Sequence, residues 1–278
     1  MIKKFWNKLN KKILYSITGI FILIVYFTPV YWMFISGLKP ARDIFSYPPK
    51  FIPSNITLEP IISVFEVGGL RYLRNSFIIA GSSTIFTISI ASLAAYAIAR
   101  LNVGWIKWLI LLFLVAQMLP PVLMATPLFV IFHNLGLTNT YLAVILANST
   151  LTVPFAVIML RTVFLQVPVE LEEASRIDGC GRLGSLLRIT FPVAKSGMIV
   201  VSVICFILAF GDFIFALTLM NRESMQPATV GIYNFLGAQA AQWNNVMAFA
   251  SLTVLPLIII FIVLQKPIVK GLSEGAFK

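Results

Sequence analysis

Six long apolar stretches, separated by polar segments, dominate the pattern along this 278-residue chain. They cover residues 13–37, 75–99, 107–132, 141–165, 196–220 and 246–265. Each reaches the roughly 20 residues that a helix needs to cross the hydrocarbon core of a bilayer. The pattern therefore predicts an all-α, polytopic membrane protein with six transmembrane helices, forming a single transmembrane domain over residues 1–278.

Composition favours the same fold class. Hydrophobic residues make up 59% of the chain, charged residues make up 11%, and the mean hydropathy is +0.94, which is well outside the range of soluble domains. Five lysines precede the first apolar stretch, as in a signal peptide, but this stretch is too long and lacks a small-residue cleavage site. We therefore expect it to be retained as a span.

The distribution of Lys and Arg predicts how the chain is oriented. With a cytoplasmic N-terminus, fifteen of the 21 Lys and Arg residues fall on the cytoplasmic side and six on the other. Because positive residues accumulate in cytoplasmic loops, both termini are expected in the cytoplasm. Topology thus explains the net charge of +11, and no nucleic acid partner is predicted. Residues 166–195 become the one long internal cytoplasmic loop, while 38–74 and 221–245 lie outside.

The chain offers little for catalysis or metal binding. Its only histidine is His133, and Cys180 and Cys205 are far apart with no C-x-x-C spacing, so neither a metal cluster nor haem ligation is expected. There is no G-x-x-x-x-G-K-[ST] sequence to hold ATP phosphates and no evident pair of nucleophile and base. No catalytic, cofactor or metal site is predicted.

The loop 166–195 contains three glycines, at 179, 181 and 184, with the spacing G-x-G-x-x-G. Such a turn holds dinucleotide phosphates only where it follows a β-strand and opens a helix. That context is missing here. The glycines are therefore interpreted as turn residues and not as a phosphate site.

Around these glycines the sequence predicts two short helices on the cytoplasmic surface. The first begins at Pro168, carries acidic residues near its positive N-terminal end and ends at Gly179 as a C-cap. The second is expected over about Leu183–Thr190 and is closed by Pro192. At 1.5 Å per residue, neither helix is long enough to span the membrane.

The detailed spacing of this loop resembles a known motif. Glu173, Ala174 and Ser175 are followed after three residues by Gly179, and after nine more by Ile189, Phe191 and Pro192. This is similar to the E-A-A, three residues, Gly, nine residues, I-x-L-P pattern of the EAA loop in importer-type ABC transporter permeases. Asp178 matches the D-G pair of the sugar-importing branch. Two positions depart from the pattern: Ser175 replaces a usual Ala, and Phe191 replaces a usual Leu.

The resemblance extends over essentially the whole chain. It is carried by "YLRNSFIIA" at 72–80, "AAYAIARL" at 94–101, "GLTNTYLAVIL" at 136–146 and "LQKPIVKGLSEGAFK" at 264–278. The chain looks like the MalG-like half of the carbohydrate-uptake permeases. The resemblance implies a type I ABC importer permease of the MetI-like architecture, with a cytoplasmic coupling helix.

The resemblance also implies a function and partners. The protein would be the permease subunit of an ATP-driven importer of a sugar or sugar derivative in a bacterial inner membrane. It would not itself be an enzyme, would bind no cofactor and would leave ATP hydrolysis to a separate subunit. Its expected partners are a second permease subunit in a heterodimer, a cytoplasmic ATPase dimer, an extracellular or periplasmic solute-binding protein and the lipid bilayer.

In the loop, the resemblance assigns ATPase coupling to one set of residues. They are Glu173, Ala174, Ser175, Asp178, Gly179, Ile189 and Pro192. The small residues would let the backbones approach each other, and the two acids could pair with basic residues of the ATPase or cap backbone amides. Simple stabilisation by the helix dipole is the alternative for the acids, worth about 0.3–1 kcal/mol at an exposed end.

Signals for a translocation path are weaker. Asp212 is the only acid well inside a predicted span, where an unpaired charge costs about 2.5–3.5 kcal/mol, so it lines a cavity or reaches the external water. Gln117, Asn148 and Ser149 also fall within spans and could line the path or join helices, which is the more common role. At 210–213 the chain has Phe-Gly-Asp-Phe where that branch usually has W-N-[DE]-F.

Two other functions are compatible with a chain of several apolar spans. A secondary transporter driven by an ion gradient commonly has inverted repeats and several carboxylates in the membrane, whereas no convincing repeat is seen and Asp212 is the one candidate. An intramembrane enzyme is disfavoured, because the only histidine, His133, lies outside the interior of the predicted spans and no H-E-x-x-H sequence is present.

Overall fold

The computed structural model describes residues 2–101, 104–238 and 242–276, and side chains within 14–101, 104–236 and 242–265. Every regular element in the described residues is helical. The α-helices are α1 (Ile2–Ser36), α2 (Ala41–Ile44), α3 (Glu59–Glu66), α4 (Gly69–Arg100), α5 (Ile106–Gln117), α6 (Pro121–Asn134), α7 (Tyr141–Leu165), α8 (Val169–Ile177), α9 (Arg182–Ser185), α10 (Phe191–Phe210), α11 (Ile214–Leu219), α12 (Ala228–Ala238) and α13 (Trp243–Ala276). The all-α prediction is confirmed.

Among the described residues, five helices are long and apolar enough to cross a membrane, and a bent pair brings the number to six if it is counted as one span. The bent pair is α5 and α6, which meet at an angle of 97° within the stretch predicted as one span over 107–132. Pro120 and Pro121 explain the break, because a proline inside a helix removes a backbone donor and clashes with the preceding turn. Pro120 instead has an extended backbone and lies just before the first turn of α6.

The stretch predicted as a span over 196–220 is also interrupted. The long helix ends at Phe210, and the short helix α11 begins at Ile214. Gly211, Asp212 and Phe213 connect the two helices. Asp212, which is predicted from the sequence to lie inside a continuous span, therefore lies at a break between two helices.

The chain divides into two compact units, one of residues 1–69 with 232–255 and the other of residues 70–231 with 256–278. In the first unit, Gly37 approaches α13 so closely that a Cβ at this position would lie 2.8 Å from the Cα of Ala248. The buried ammonium of Lys39 lies 4.2 Å from the ring centre of Trp32. The assignment of 1–278 to a single domain stays a prediction.

In the second unit, α7 is the central helix, and half of its most apolar window is buried. Ala91, Ala95 and Ala156 are fully buried where helices meet, as expected where small residues allow membrane helices to approach closely. Phe164 and Leu186 are fully buried in the same cluster. This cluster holds the loop after α7 against the ends of α4 and α10.

Candidate functional site

The first predicted helix of the loop is present as α8, and its ends are defined by two residues. Pro168 is the N-cap, and the helix runs from Val169 to Ile177. Gly179 follows with a φ of +87°, a conformation that favours glycine because it has no Cβ. The amide of Gly179 donates to the Arg176 carbonyl at 3.0 Å, and the amide of Cys180 donates to the Ser175 carbonyl at 2.9 Å. These two bonds form a Schellman motif, which confirms Gly179 as the terminator.

α8 has two chemically different faces. Glu172 and Ser175, three residues apart and hence on one face, are buried. Glu173, Ala174 and Asp178 are exposed, and Ile177 is 88% exposed. Of the residues predicted for coupling, Ser175 thus faces the interior while Glu173, Ala174 and Asp178 face outward.

The buried face is built around the carboxylate of Glu172. Arg100, at the end of α4, donates to Oε1 from Nε at 3.0 Å and from Nη2 at 2.8 Å. Tyr96, one turn earlier on α4, donates its hydroxyl to Oε2 at 2.8 Å, and Thr190 donates to Oε1 at 2.8 Å. Arg100 also donates to the Val167 carbonyl at 2.9 Å. One fully buried carboxylate therefore joins α4, α8 and the start of α10.

The electrostatics of this cluster favour the ionised carboxylate. Burial by itself would raise the pKa of Glu172, but hydrogen bonds from Arg100, Thr190 and Tyr96 outweigh it and hold the pKa below its ordinary value of 4.5. The Arg100–Glu172 ion pair is almost completely buried, with side-chain exposures of 10% and 0%. Removing one partner of such a pair leaves an uncompensated charge in the interior, which is strongly destabilising.

Glu172 was not among the residues predicted from the sequence, which singled out its neighbour Glu173. Two signals could have found it. Tyr96 and Arg100 are four residues apart, so both side chains lie on one face at the end of a span. In addition, only one of two adjacent acids can share a helix face with Ser175, and Glu172 is three residues before it.

Ser175 explains one departure from the EAA pattern. Its hydroxyl bonds to the Glu172 carbonyl at 2.8 Å and to the hydroxyl of Ser185, which is also buried. An alanine at position 175 would leave the Ser185 hydroxyl without this partner. The small residue therefore ties α8 to α9.

The prediction for the second short helix is wrong at its C-terminal end. α9 is followed by a π-helical turn, Leu186–Thr190, which continues directly into α10, so Pro192 does not close a helix. Proline is tolerated in the first turn of a helix, and the wide π turn immediately before it avoids a clash with the carbonyl four residues earlier. Ile189 is half-buried in this turn, and Pro192 is exposed.

The four residues predicted for a translocation path divide into two groups. Asp212 and Asn148 line one cavity of about 370 Å³, together with Pro121, Thr152 and Phe213. Gln117 is exposed at the last position of α5, and the Ser149 hydroxyl donates to the Ile145 carbonyl of its own helix at 2.7 Å. Neither of them lines this cavity.

Asp212 also has a structural role. Its carboxylate accepts the amides of Phe215 at 3.2 Å and Ala216 at 3.1 Å, which are unpaired donors in the first turn of α11. Thr229 donates its hydroxyl to the Asp212 carbonyl. The carboxylate therefore compensates for the break in the helix while it faces the cavity.

Comparisons with known proteins agree on one family. Residues 87–274 match the family described as binding-protein-dependent transport system inner membrane component. A trehalose/maltose transport system permease protein of Thermococcus litoralis is 34% identical over 96% of this chain and 97% of its own length. A sulfoquinovosyl glycerol transport system permease protein of Agrobacterium fabrum is 32% identical over 90% of this chain and 88% of its own.

A solved structure shows the same fold. A chain of a bacterial ABC transporter involved in the import of the acidic polysaccharide alginate superposes with a TM-score of 0.77. The superposition covers 91% of this chain and 95% of the other, at 18% sequence identity. The type I, MetI-like architecture expected from the sequence is thereby confirmed.

The buried ion pair predicts a stability that depends on pH. Because the pKa of Glu172 is lower in the folded protein than in the unfolded chain, its stabilising effect is complete above pH 4.5 and is lost as pH falls through the folded value. Replacing Glu172→Gln should destabilise the fold by about 3 kcal/mol at neutral pH, and this difference from wild type should shrink below pH 4.5. Intrinsic-fluorescence unfolding of the purified protein in detergent over a pH series measures it.

Glu173→Gln is the matched control, because Glu173 is the adjacent acid on the exposed face. It should unfold within about 0.5 kcal/mol of wild type at every pH. Equal unfolding of the Glu172→Gln variant and wild type at neutral pH would contradict the assignment of a stabilising role to the ion pair.

Proposed function

This chain belongs to the family of binding-protein-dependent transport system inner membrane components, and from that membership we propose that it carries a sugar or sugar derivative across a bacterial inner membrane. As a member of the family it is a multi-pass permease subunit of an ABC importer and not an enzyme. We also propose its substrate class, its partner subunits and the residues that couple it to the ATPase.

The sugar assignment is supported by the relatives and by one local feature. The two relatives are named for trehalose or maltose and for sulfoquinovosyl glycerol, and the structural neighbour imports alginate, all of which are carbohydrates or carry a sugar. The Asp178-Gly179 pair, which resembles the sugar-importing branch, forms the C-terminal cap of α8. A sugar or sugar derivative is the substrate class common to these proteins.

The proposed assembly places this chain beside a second permease subunit, above a cytoplasmic ATPase dimer and below a solute-binding protein. The chain has no phosphate-binding sequence for ATP, so the energy for transport has to come from a partner. With the orientation predicted from the charge distribution, α8 faces the cytoplasm, where it can reach that partner.

The exposed face of α8 is the proposed ATPase contact, and the single observation that carries it is the division of the helix into two faces. The buried face is occupied by Glu172 and Ser175, whereas Ile177 is 88% exposed and Glu173 and Ala174 are exposed beside it. Leu183, on the following helix, is 65% exposed. Large apolar side chains in water next to a small residue are typical of a surface that another protein covers.

Coupling then follows from the two faces. When the ATPase subunits close around ATP, they would move α8 through its exposed face. Because Glu172 joins α8 to Tyr96, Arg100 and Thr190, the same movement would turn α4 and α10. Rigid-body rotation of packed helices is a common way in which such displacements open one side of a protein and close the other.

The cavity beside Asp212 is the proposed contribution of this chain to the translocation path. The carboxylate of Asp212 and the amide of Asn148 offer hydrogen-bonding groups among mainly apolar neighbours, an arrangement common in small-molecule sites. Broken helices that line a cavity are also where membrane proteins tolerate irregular backbone. Sugar hydroxyl groups would bind to these polar side chains during passage.

Co-purification tests the coupling surface. The complete transporter is captured through the sister permease, and the ATPase recovered with wild type is compared with that recovered with Glu173→Lys and Ile177→Arg. We expect each variant to assemble with the sister subunit but to lose about tenfold in ATPase recovery, as for central residues of an interface. Glu66→Lys is the control, because this exposed acid lies on α3, on the predicted outer face. Full ATPase recovery with both α8 variants would contradict the assignment.

Two substitutions separate the capping and transport roles of Asp212. Asparagine caps a helix about as well as aspartate, whereas alanine loses about 1 kcal/mol. Both Asp212→Asn and Asp212→Ala should slow ATP-dependent uptake of labelled sugar, while Asp212→Ala, which loses both accepting oxygen atoms, should lower the unfolding temperature more than Asp212→Asn, which keeps one. Uptake at the wild-type rate with Asp212→Asn would show that the carboxylate acts in capping alone.

A further inference from the structure

A second cavity, of about 280 Å³, lies between α4 and the loop that contains α8 and α9. We call it the basic groove. Its lining includes Arg176 at the end of α8, Arg182 at the start of α9, Arg100 at the end of α4, and the apolar side chains Leu93, Leu101 and Leu183. None of the residues that the sequence predicts for coupling lines it, and Leu183 is the one residue that it shares with the proposed ATPase contact.

The charge of the basic groove is positive and largely uncompensated. Arg100 is paired with Glu172, but neither Arg176 nor Arg182 forms a salt bridge with any carboxylate in the described part of the chain. Both side chains are exposed. Two guanidinium groups that line one cavity favour an anion, and their planar arrays of donors suit the oxygen atoms of a phosphate.

The apolar part of the basic groove indicates the kind of molecule to which the anionic group belongs. Leu93 and Ala97 lie on α4 and Leu101 directly follows its last residue, and the spacing of four residues places all three on one stripe. Leu93 is 53% exposed and Leu101 is 40% exposed. From Leu93 to Leu101 the stripe is about 12 Å long, at about 1.5 Å for each of eight steps, and Leu93 lies within the apolar stretch 75–99 that the sequence predicts to cross the bilayer. The ligand therefore needs an apolar portion in the bilayer and an anionic portion at its surface.

We propose that the basic groove binds the headgroup of an anionic phospholipid, with Arg176 and Arg182 at the phosphate and Leu93 and Leu101 along the acyl chains. The face concerned is the one that the charge distribution predicts to be cytoplasmic, where basic pockets between membrane helices bind anionic lipids. The bound lipid would lie directly behind the Glu172 cluster, since Tyr96 and Arg100 belong to both sites. Lipid composition would thus act on the position of α8.

Native mass spectrometry of the complete transporter tests this proposal. The transporter is reconstituted in nanodiscs of phosphatidylcholine with phosphatidylglycerol. The number of phosphatidylglycerol molecules that stay bound to each transporter after it is released from the nanodisc is then measured. The double variant Arg176→Gln, Arg182→Gln should retain about thirtyfold less than wild type, from about 1 kcal/mol for each basic residue at the surface. Arg188→Gln is the matched control, because Arg188 is exposed on the same segment but does not line the groove.

The conservative variant Arg176→Lys, Arg182→Lys checks that loss of charge, and not misfolding, is responsible, and it should restore most of the retention. Glycerol 3-phosphate at millimolar concentration distinguishes a free phosphate ester from a lipid and should leave the bound phosphatidylglycerol in place. Equal lipid retention in wild type and the glutamine variant would overturn the proposal. So would unchanged lipid retention combined with loss of the ATPase, which would make the two arginines a protein contact.

Discussion

The Glu172 carboxylate lies in the interior of the protein with donors from Arg100, Tyr96 and Thr190 around it, and the position of α8 depends on that arrangement. A buried carboxylate is tolerated only where its charge is paired and its oxygen atoms accept hydrogen bonds. Meeting those requirements brings together residues separated by 72 positions along the chain. The short helix is therefore held from inside, and its outer face remains free for a partner.

The same constraint applies to the interrupted helices, because a polar group that is removed from water needs a hydrogen-bond partner. The bend of 97° between α5 and α6 and the gap between α10 and α11 both release backbone groups that a straight helix would pair. At the second break, Asp212 accepts two of the freed amides. Because Pro121 from the first break and Asp212 from the second line the same cavity, the interruptions in two predicted spans meet at one place.

Much of this arrangement could be predicted from the sequence because it is local. Apolar length predicts the helices, and the Gly179 turn follows from the need for a left-handed backbone at the end of α8. The importance of Glu172 over Glu173 could not be seen in the same way, because it depends on contact with Arg100 in a distant helix. The prediction that Pro192 closes a helix was wrong, because a proline can either follow one helix or lie in the first turn of the next. The π turn before it, which continues into α10, shows that the second case applies here.

The central claim is that α8 and α4 move as one body because Glu172 joins them. The distance between a spin label on α8 and one on α4, measured by electron–electron double resonance, tests it directly. Spin labels are placed at Val169 on α8 and Ile85 on α4, which are both exposed and outside the proposed ATPase contact, in the complete transporter with Cys180 and Cys205 replaced by serine. The distance between the labels should be the same without nucleotide and with ATP, and it should become variable in the Glu172→Gln variant. A distance that changes with ATP in the protein with Glu172 intact would contradict the account.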